Sequence, residues 1–373
     1  MRKASLSITG ILLLLLVILG SCQTLEQISI DYLQPAELTF PSSFRRIGIV
    51  NNSTTTPDNK LITEEKKPRN GNYNLETKRV IGYAYVDPAV VAESLAQDIA
   101  DQNYFETVVI CDSALRANDV YERESKLSPQ EIEKLTSDLQ VDFIVAIENV
   151  LLKTTEVVSY MPDFDWFSGT IDLKAYPTFS IYLPERNGPM NTLTPSDSIF
   201  WEEIGGTTMD ASRRMPPDSR ILAEGAQFAG TIPTRYIVPT WKSGVRYFYN
   251  GGSAQMRDGG IYVRENNWDK AYEQWKLIYD NTKQRKKKMQ AAFNIALYYE
   301  MKDNFAQAEE WALKAKELVE QIEHINEPQK ADSGTIRISE NYYLITQYLE
   351  ELKKRKAVAY KLNIQMKRFN EDF

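Results

Sequence analysis

The chain has 373 residues, with 44 Lys and Arg against 51 Asp and Glu and a formal net charge of −7. That mildly acidic balance lacks the basic footprint of a nucleic-acid binder. Two cysteines (Cys22, Cys111) and one histidine (His324) are too few for a His- or Cys-rich zinc site, so no metal or cofactor is expected.

Arg2 and Lys3 open the chain, and Ile11 to Leu19 form an apolar core too short for an ordinary membrane span. Gly20 and Ser21 follow, both small, and then Cys22. The order aliphatic, small, small, Cys resembles the lipobox of bacterial lipoproteins. The resemblance implies that residues 1–21 are a removed signal, and that Cys22 carries a diacylglycerol on its sulfur and a third acyl chain on its new amino group. Such chains, at about 0.8 kcal/mol per buried methylene, anchor a protein without a spanning helix. Loss of Arg2 and Lys3 takes the formal charge from −7 to −9. With Cys22 consumed, Cys111 has no partner for an intrachain disulfide and is expected to be a buried, inert thiol. Gln23 is not the aspartate associated with inner-membrane retention, and residues 23–27 lack the acidic cluster linked to surface export. Both point to an outer-membrane, periplasm-facing position.

Residues 22–43 are expected to be a lipidated tether, with Pro35 and Pro41 marking extended backbone. A strand is predicted at Arg46 to Val50, then a long polar loop from Asn51 to about Lys78. Asp87-Pro88 offers an N-cap and a first-turn proline, and Val91, Leu95 and Ile99 give the following helix its apolar stripe. Thr107 to Cys111 reads as a strand. Ser128 and Glu131 have capping-box spacing ahead of Ile132, Leu135 and Leu139. Val141 to Ile147 is the next strand, completing a β-α-β-α-β order. The stretches Thr154 to Tyr160, Thr170 to Leu183 and Ser198 to Ile204 read as antiparallel strands that extend the sheet. Gly225 and Gly230 predict a helix backbone lying close to another element. A further helix is predicted from Pro239, with Trp241, Val245 and Phe248 on one side. This α/β domain is assigned to residues 44–235, with a soft boundary between Gly230 and Gly251.

Residues 236–373 read as an all-α repeat domain. Gly259 and Ala296, Tyr262 and Tyr299, Trp268 and Phe305, Ala271 and Ala308, Trp275 and Ala312, and Ile278 and Ala315 each stand 37 residues apart. The turns fall at Asn266-Asn267 and Asp303-Asn304. The pattern resembles the tetratricopeptide repeat, a helix-turn-helix unit of about 34 residues. Units are assigned at 252–285 and 289–322, with the extra residues in a turn around Lys283 to Lys288. So short an array needs caps, expected at the helix around Trp241 and at Asn341 to Lys356, with Tyr343, Ile345, Leu349 and Leu352 apolar. The resemblance implies a concave groove lined by Met256, Val263 and Arg264 in the first unit and Phe293, Leu297 and Met301 in the second. Those six are the expected partner-binding residues.

Weaker signals remain. Asp163, Asp165, Glu202 and Glu203 are candidate paired carboxylates of a glycan hydrolase. Arg285 to Lys288 and Lys353 to Lys356 have a composition that suits phospholipid head groups, but as charge runs at helix ends they are read as solvated. His324 is read as an exposed residue near a helix C-terminus, too distant to serve a nucleophile in the N-terminal half. The mature chain also resembles a Bacteroidota lipoprotein family of no known activity, on the strength of the lipobox, Pro239-Thr240-Trp241, Arg246-Tyr247-Phe248-Tyr249 and the terminal repeats. The β-α-β-α-β half is more distantly similar to envelope lipoproteins that assemble secretion or curli channels. The expected fold class is α+β, a sheet domain followed by helical repeats. The expected function is a non-enzymatic, membrane-anchored scaffold for an envelope protein partner, with a cell-envelope hydrolase as the alternative.

Overall fold

The computed structural model describes residues 25–53, 60–71, 74–111, 113–116, 126–325 and 339–369. The signal segment and Cys22 lie outside them. In chain order the first half contains β1 (Leu25–Gln34), β2 (Arg46–Asn51), β3 (Ile62–Lys66), β4 (Asn70–Gly71), β5 (Asn74–Tyr85), α1 (Pro88–Asp101), β6 (Thr107–Cys111), α2 (Pro129–Leu139) and β7 (Phe143–Met161). Then come β8 (Trp166–Tyr182), β9 (Asn191–Leu193), β10 (Asp197–Gly205), α3 (Thr208–Arg214), α4 (Asp218–Thr231), α5 (Thr234–Ile237) and β11 (Thr240–Tyr249). The rest is helical: α6 (Ala254–Arg264), α7 (Trp268–Asn281), α8 (Arg285–Met301), α9 (Phe305–Glu323) and α10 (Glu340–Met366). The class is α+β.

The described residues divide into a sheet unit, Pro35–Thr240 with residues 362–369, and a helical unit, Leu25–Gln34 with Trp241–Lys361. In the sheet unit β2 lies between β6 and β7, parallel to both. Its side chains alternate between two cores. Ile47 and Ile49 join α1 and α4 on one face, and Val50 joins Ile132 of α2 on the other. Burial on both faces is why the parallel strands read as continuous apolar runs.

β7 then outgrows the parallel core. Its first residues pair with β2, and from Leu151 the same edge pairs antiparallel with β5. The opposite edge pairs with β8 along its whole length, from Ile144↔Tyr182 to Met161↔Trp166. β8 carries β9 and β10 on its outer edge, and β5 carries β3 and β4.

Local signals acted as expected in the helices. The Asp87 carboxylate accepts from the Ala89 amide at 2.9 Å, and Val91, Leu95 and Ile99 are buried. Ser128 and Glu131 form a complete capping box. Gly230 passes so close to α1 that a Cβ there would lie 2.5 Å from Ser94 Cβ and 2.6 Å from the Val91 carbonyl oxygen. Gly225 likewise leaves room for the Leu152 and Leu173 side chains.

Four expectations are corrected. Part of the predicted 51–78 loop is β3, β4 and the start of β5. These strands are polar because one sheet face is open to solvent and because Glu76–Arg79 and Lys78–Glu156 form ion pairs. The predicted helix from Pro239 is strand β11, in which Arg246 and Phe248 are buried while Trp241 and Val245 are exposed. Apolar spacing of three or four suits a helix, but the aromatic-rich run Tyr247-Phe248-Tyr249 has a partner strand in β1. Residues 25–34, expected to be free tether, are that partner, with Ile30 buried and Leu25 and Ile28 packed on the helical core. The tail is corrected too, since residues 362–369 belong to the sheet unit. There the Gln365 side chain bonds the Ala36 amide at 2.9 Å and the Ala36 and Leu38 carbonyls at 3.0 and 2.9 Å.

The helical unit keeps the period of its sequence. Asn266 and Asp303 both adopt left-handed backbone (φ 55° and 53°), and Asn267 and Asn304 both cap the next helix by accepting a backbone N–H. The Trp275 indole fills the space left by Gly259, while Ala296, Ala308, Ala312 and Ala315 are buried where the second pair of helices meets. The predicted inter-repeat turn is shorter than expected, because Arg285 to Lys288 form the first turn of α8. In the C-terminal cap Ile345, Leu349 and Leu352 are buried as predicted, but Tyr343 is exposed and Tyr348 packs inward instead. His324 ends α9 in left-handed backbone and is exposed.

Candidate functional site

The groove expected in the helical unit is filled by the chain itself. Met256, Val263, Phe293 and Leu297 are buried in one core with Tyr249 of β11 and Tyr348 of α10. The Phe293 ring stands edge-on to Tyr249 and Tyr348 at centroid distances of 5.6 and 5.1 Å. One residue on, Asn294 accepts from the Tyr249 amide at 2.8 Å and donates to its carbonyl at 2.7 Å. That pair of hydrogen bonds ties strand to helix, as a neighbouring strand would. Met301 is half-buried against the same core, and Arg264 is exposed and ion-paired to Glu26 at 2.7 Å. The stripe is therefore core, covered by β11 and α10, and it is not a free docking groove. The sign available in the sequence was Asn294, a polar residue inside an apolar helix that needs a backbone partner once buried.

The carboxylates of the hydrolase alternative are dispersed. Asp163 and Asp165 sit at the β7–β8 turn, where Asp165 accepts from the Tyr160 hydroxyl at 2.8 Å. Glu202 and Glu203 are consecutive on β10 and so point to opposite faces. Glu202 is engaged by the Ser168 hydroxyl at 2.8 Å. Among the described residues no group of three His, Cys, Asp or Glu could hold a metal ion. Cys111 ends β6 half-buried, with its sulfur 3.8 Å from the Ser113 carbonyl oxygen.

A polar chain that sequence reasoning missed lies where the parallel strands end. Arg116, after β6, donates to Glu131 Oε1 and to Asn52 Oδ1, both at 2.9 Å. Asn52, after β2, donates to Glu148 Oε2 at 2.7 Å, and the Tyr182 hydroxyl donates to Glu148 Oε1 at 3.0 Å. Glu148 is the extra residue of a bulge in β7, a device that re-aims a side chain. Burial raises the Glu148 carboxyl above the usual glutamate range, against the lowering effect of Asn52, Tyr182 and Ser180. Burial, and then the charge of Glu148, pushes Tyr182 up to about 12. Each link is satisfied by its neighbour, so the chain ties together the ends of β2, β6 and β7.

This arrangement gives a signed pH dependence. The folded state holds the Glu148 proton more tightly than the unfolded state, so its contribution is full below the ordinary glutamate range and is lost as pH rises through the folded value. Urea midpoints of wild type and Glu148→Gln are thus expected to diverge as pH climbs from that range toward neutrality, the wild type losing ground. Parallel profiles would show that Glu148 titrates normally.

The exposed surface with binding character is one face of the long sheet. Direct neighbours across the strands are Ser198, Lys174, Lys153, Tyr83 and Ile62 in one row, and Phe200, Asp172, Thr155, Ile81 and Glu64 in the next. Tyr176, Leu151 and Tyr85 make a third row. The reverse face carries Leu152, Val158, Ile171, Leu173, Ile199 and Trp201, packed under the helices or at their margin. Among the described residues no helix covers the front of these rows. Phe200 is 72 % exposed, Ile62 66 %, and Tyr83 and Tyr85 lie at 43 and 44 %. Lys153 and Lys174 lie over the rings of Tyr83 and Tyr176 at 5.8 and 5.4 Å, which keeps those ammonium groups on the face as cation–π partners. Aromatic residues are among those enriched at protein-binding surfaces.

Residues 44–249 match the family model described as Domain of unknown function (DUF8603), which is more than half of the chain. The chain belongs to that family. Residues 257–354 match a second model, Domain of unknown function (DUF6340). The first match takes in the sheet together with β11, and the second lies wholly within α6 to α10. No curated protein and no solved structure matches the chain.

Proposed function

We propose that this protein is a non-catalytic scaffold of the bacterial envelope, held to the outer membrane by acyl chains on Cys22 and facing the periplasm. It docks an envelope protein on the open face of its sheet. The observation that carries this reading is the uncovered surface of Ile62, Tyr83, Tyr85 and Phe200, three of them aromatic, on a sheet whose reverse side is buried core. Large exposed rings on a rigid strand framework supply contact area at little cost in side-chain entropy. The binding surface is thereby moved from the helical repeats, whose stripe is covered, to the sheet. Dispersal of Asp163, Asp165, Glu202 and Glu203 supports a binding role over hydrolysis.

Photo-crosslinking from positions 83 and 200 in intact membranes tests the reading. A discrete partner should be captured from both positions and lost when Ile62→Glu/Tyr85→Glu, on the same face, is added to each crosslinking chain. Exposed substitutions of this kind change stability by only about 0.5 kcal/mol, so loss of capture reports binding. Failure to capture any protein from either position would overturn the scaffold.

A further inference from the structure

The two basic runs differ in the company they keep. Lys353, Lys354, Arg355 and Lys356 are paired with Glu350, Glu351, Glu300 and Glu309. Arg285, Lys286, Lys287 and Lys288 have no carboxylate partner among the described residues. Lys288 lies over the Tyr279 ring at 4.8 Å, and Arg285 and Lys286 are exposed. Asp280 is paired with Lys276 and Glu320 with Lys316. The four cations also form the first turn of α8, which has no side-chain cap. There they repel the positive end of the helix dipole. In a chain of net charge −7 this is an unbalanced cationic patch that lacks its anion.

The direction of β1 says which end of the helical unit the lipid leaves from. Along β11, Arg246 meets Glu300 of α8 and Tyr249 meets Asn294, so β11 runs toward the α8 N-terminus. β1 runs the opposite way, because Asp31 bonds Ser243 while Glu26 bonds Asn250. The start of β1 therefore lies toward the end bearing Arg285 to Lys288. Cys22 precedes Leu25 by three residues, at most about 10 Å of chain. An acyl chain on Cys22 brings a bilayer to that same end.

We propose that the first turn of α8, with Arg285, Lys286, Lys287 and Lys288, rests on anionic phospholipid headgroups of the bilayer that holds the Cys22 acyl chains. This rests on the lipid-anchor reading above and adds an orientation to it: the helical unit stands on the membrane by the N-terminal end of α8. The paired run Lys353 to Lys356 takes no part.

The test uses the mature full-length chain with Cys22→Ser, so that no acyl chain holds it, and sediments it with vesicles at low salt. Binding is expected to vesicles of equal parts phosphatidylcholine and phosphatidylglycerol, to be absent with phosphatidylcholine alone, and to fall as salt rises. Replacing all four residues by Gln should weaken it by roughly several hundred-fold, about five-fold per charge, whereas Lys353→Gln/Lys354→Gln should leave it unchanged. Glutamine is a good helix former, and the change relieves the dipole repulsion, so the variant keeps its fold. Equal binding to both vesicle types, or equal binding by the four-Gln variant, overturns the patch. Intact mass of the chain extracted from membranes reads the anchor separately. An unmodified Cys22 there overturns the anchor and with it this orientation, whatever the vesicles show.

Discussion

Glu300→Ala is expected to lower the stability of the helical unit by roughly 3–5 kcal/mol, the cost of stranding buried charges without their counter-ion. The Glu300 carboxylate is fully buried, and the side chains of Arg246 and Arg355 are 6 and 12 % exposed. Arg246 grips it through Nη2 at 2.8 Å and Nε at 3.0 Å, and Arg355 donates from the other side at 2.7 Å. One acid thus joins β11, α8 and α10. Arg355 is further fixed between the rings of Tyr32 and Phe305, at 4.5 and 4.8 Å. A shift of the urea midpoint measures the loss. Replacing the whole triad by apolar residues of similar volume should recover most of it, because no charge is then left unpaired. A Glu300→Ala chain as stable as wild type would show that water reaches the triad.

Phe293→Ala is expected to cost about 3–5 kcal/mol, the range for deleting a buried aromatic ring. Phe293 is wholly enclosed between Tyr249 and Tyr348, and the Asn294 bonds to the Tyr249 backbone limit how far β11 can collapse into the void. Phe293→Glu is harsher, since it places a charge in that fully buried space, and it should prevent the unit from folding. The pair separates core from docking surface. A groove residue would lose a partner with little change in the thermal midpoint, whereas here the midpoint should fall and capture through positions 83 and 200 should persist wherever the sheet unit stays folded.

Elements fixed by neighbouring residues were readable in the sequence. Asp87-Pro88 and Ser128-Glu131 announced α1 and α2, and the 37-residue spacing of Gly259 with Ala296 and Ala271 with Ala308 announced the paired helices. β11 was misread because spacings of three and four fit both helix and strand until a partner is known, and that partner, β1, lies more than 200 residues away. Polar composition hid β3 and β5, since a strand with one solvent face needs apolar residues only at alternate positions. The site on the sheet was hidden for the same reason: Phe200, Lys174, Tyr83 and Ile62 come from four separate strands and become neighbours through register alone. Asn52, Arg116, Glu148 and Tyr182 share that dispersion. Cys22, the strongest single sign in the sequence, stands outside the described residues.

The tail closes the sheet unit from the far end of the polypeptide. Gln365 holds the backbone at Ala36 and Leu38, and the Arg368 guanidinium donates to the carbonyls of Pro41, Phe44 and Tyr104 while lying 3.9 Å from the centre of the Tyr104 ring. Vectorial synthesis supplies Gln365 and Arg368 long after the segment they hold. The nascent segment around Ala36 to Phe44 must wait, unfinished, through the translation of more than 300 further codons before its clasp emerges. A chain without Gln365 and Arg368 therefore leaves the backbone from Ala36 to Phe44 without these bonds, however completely the strands between them have formed.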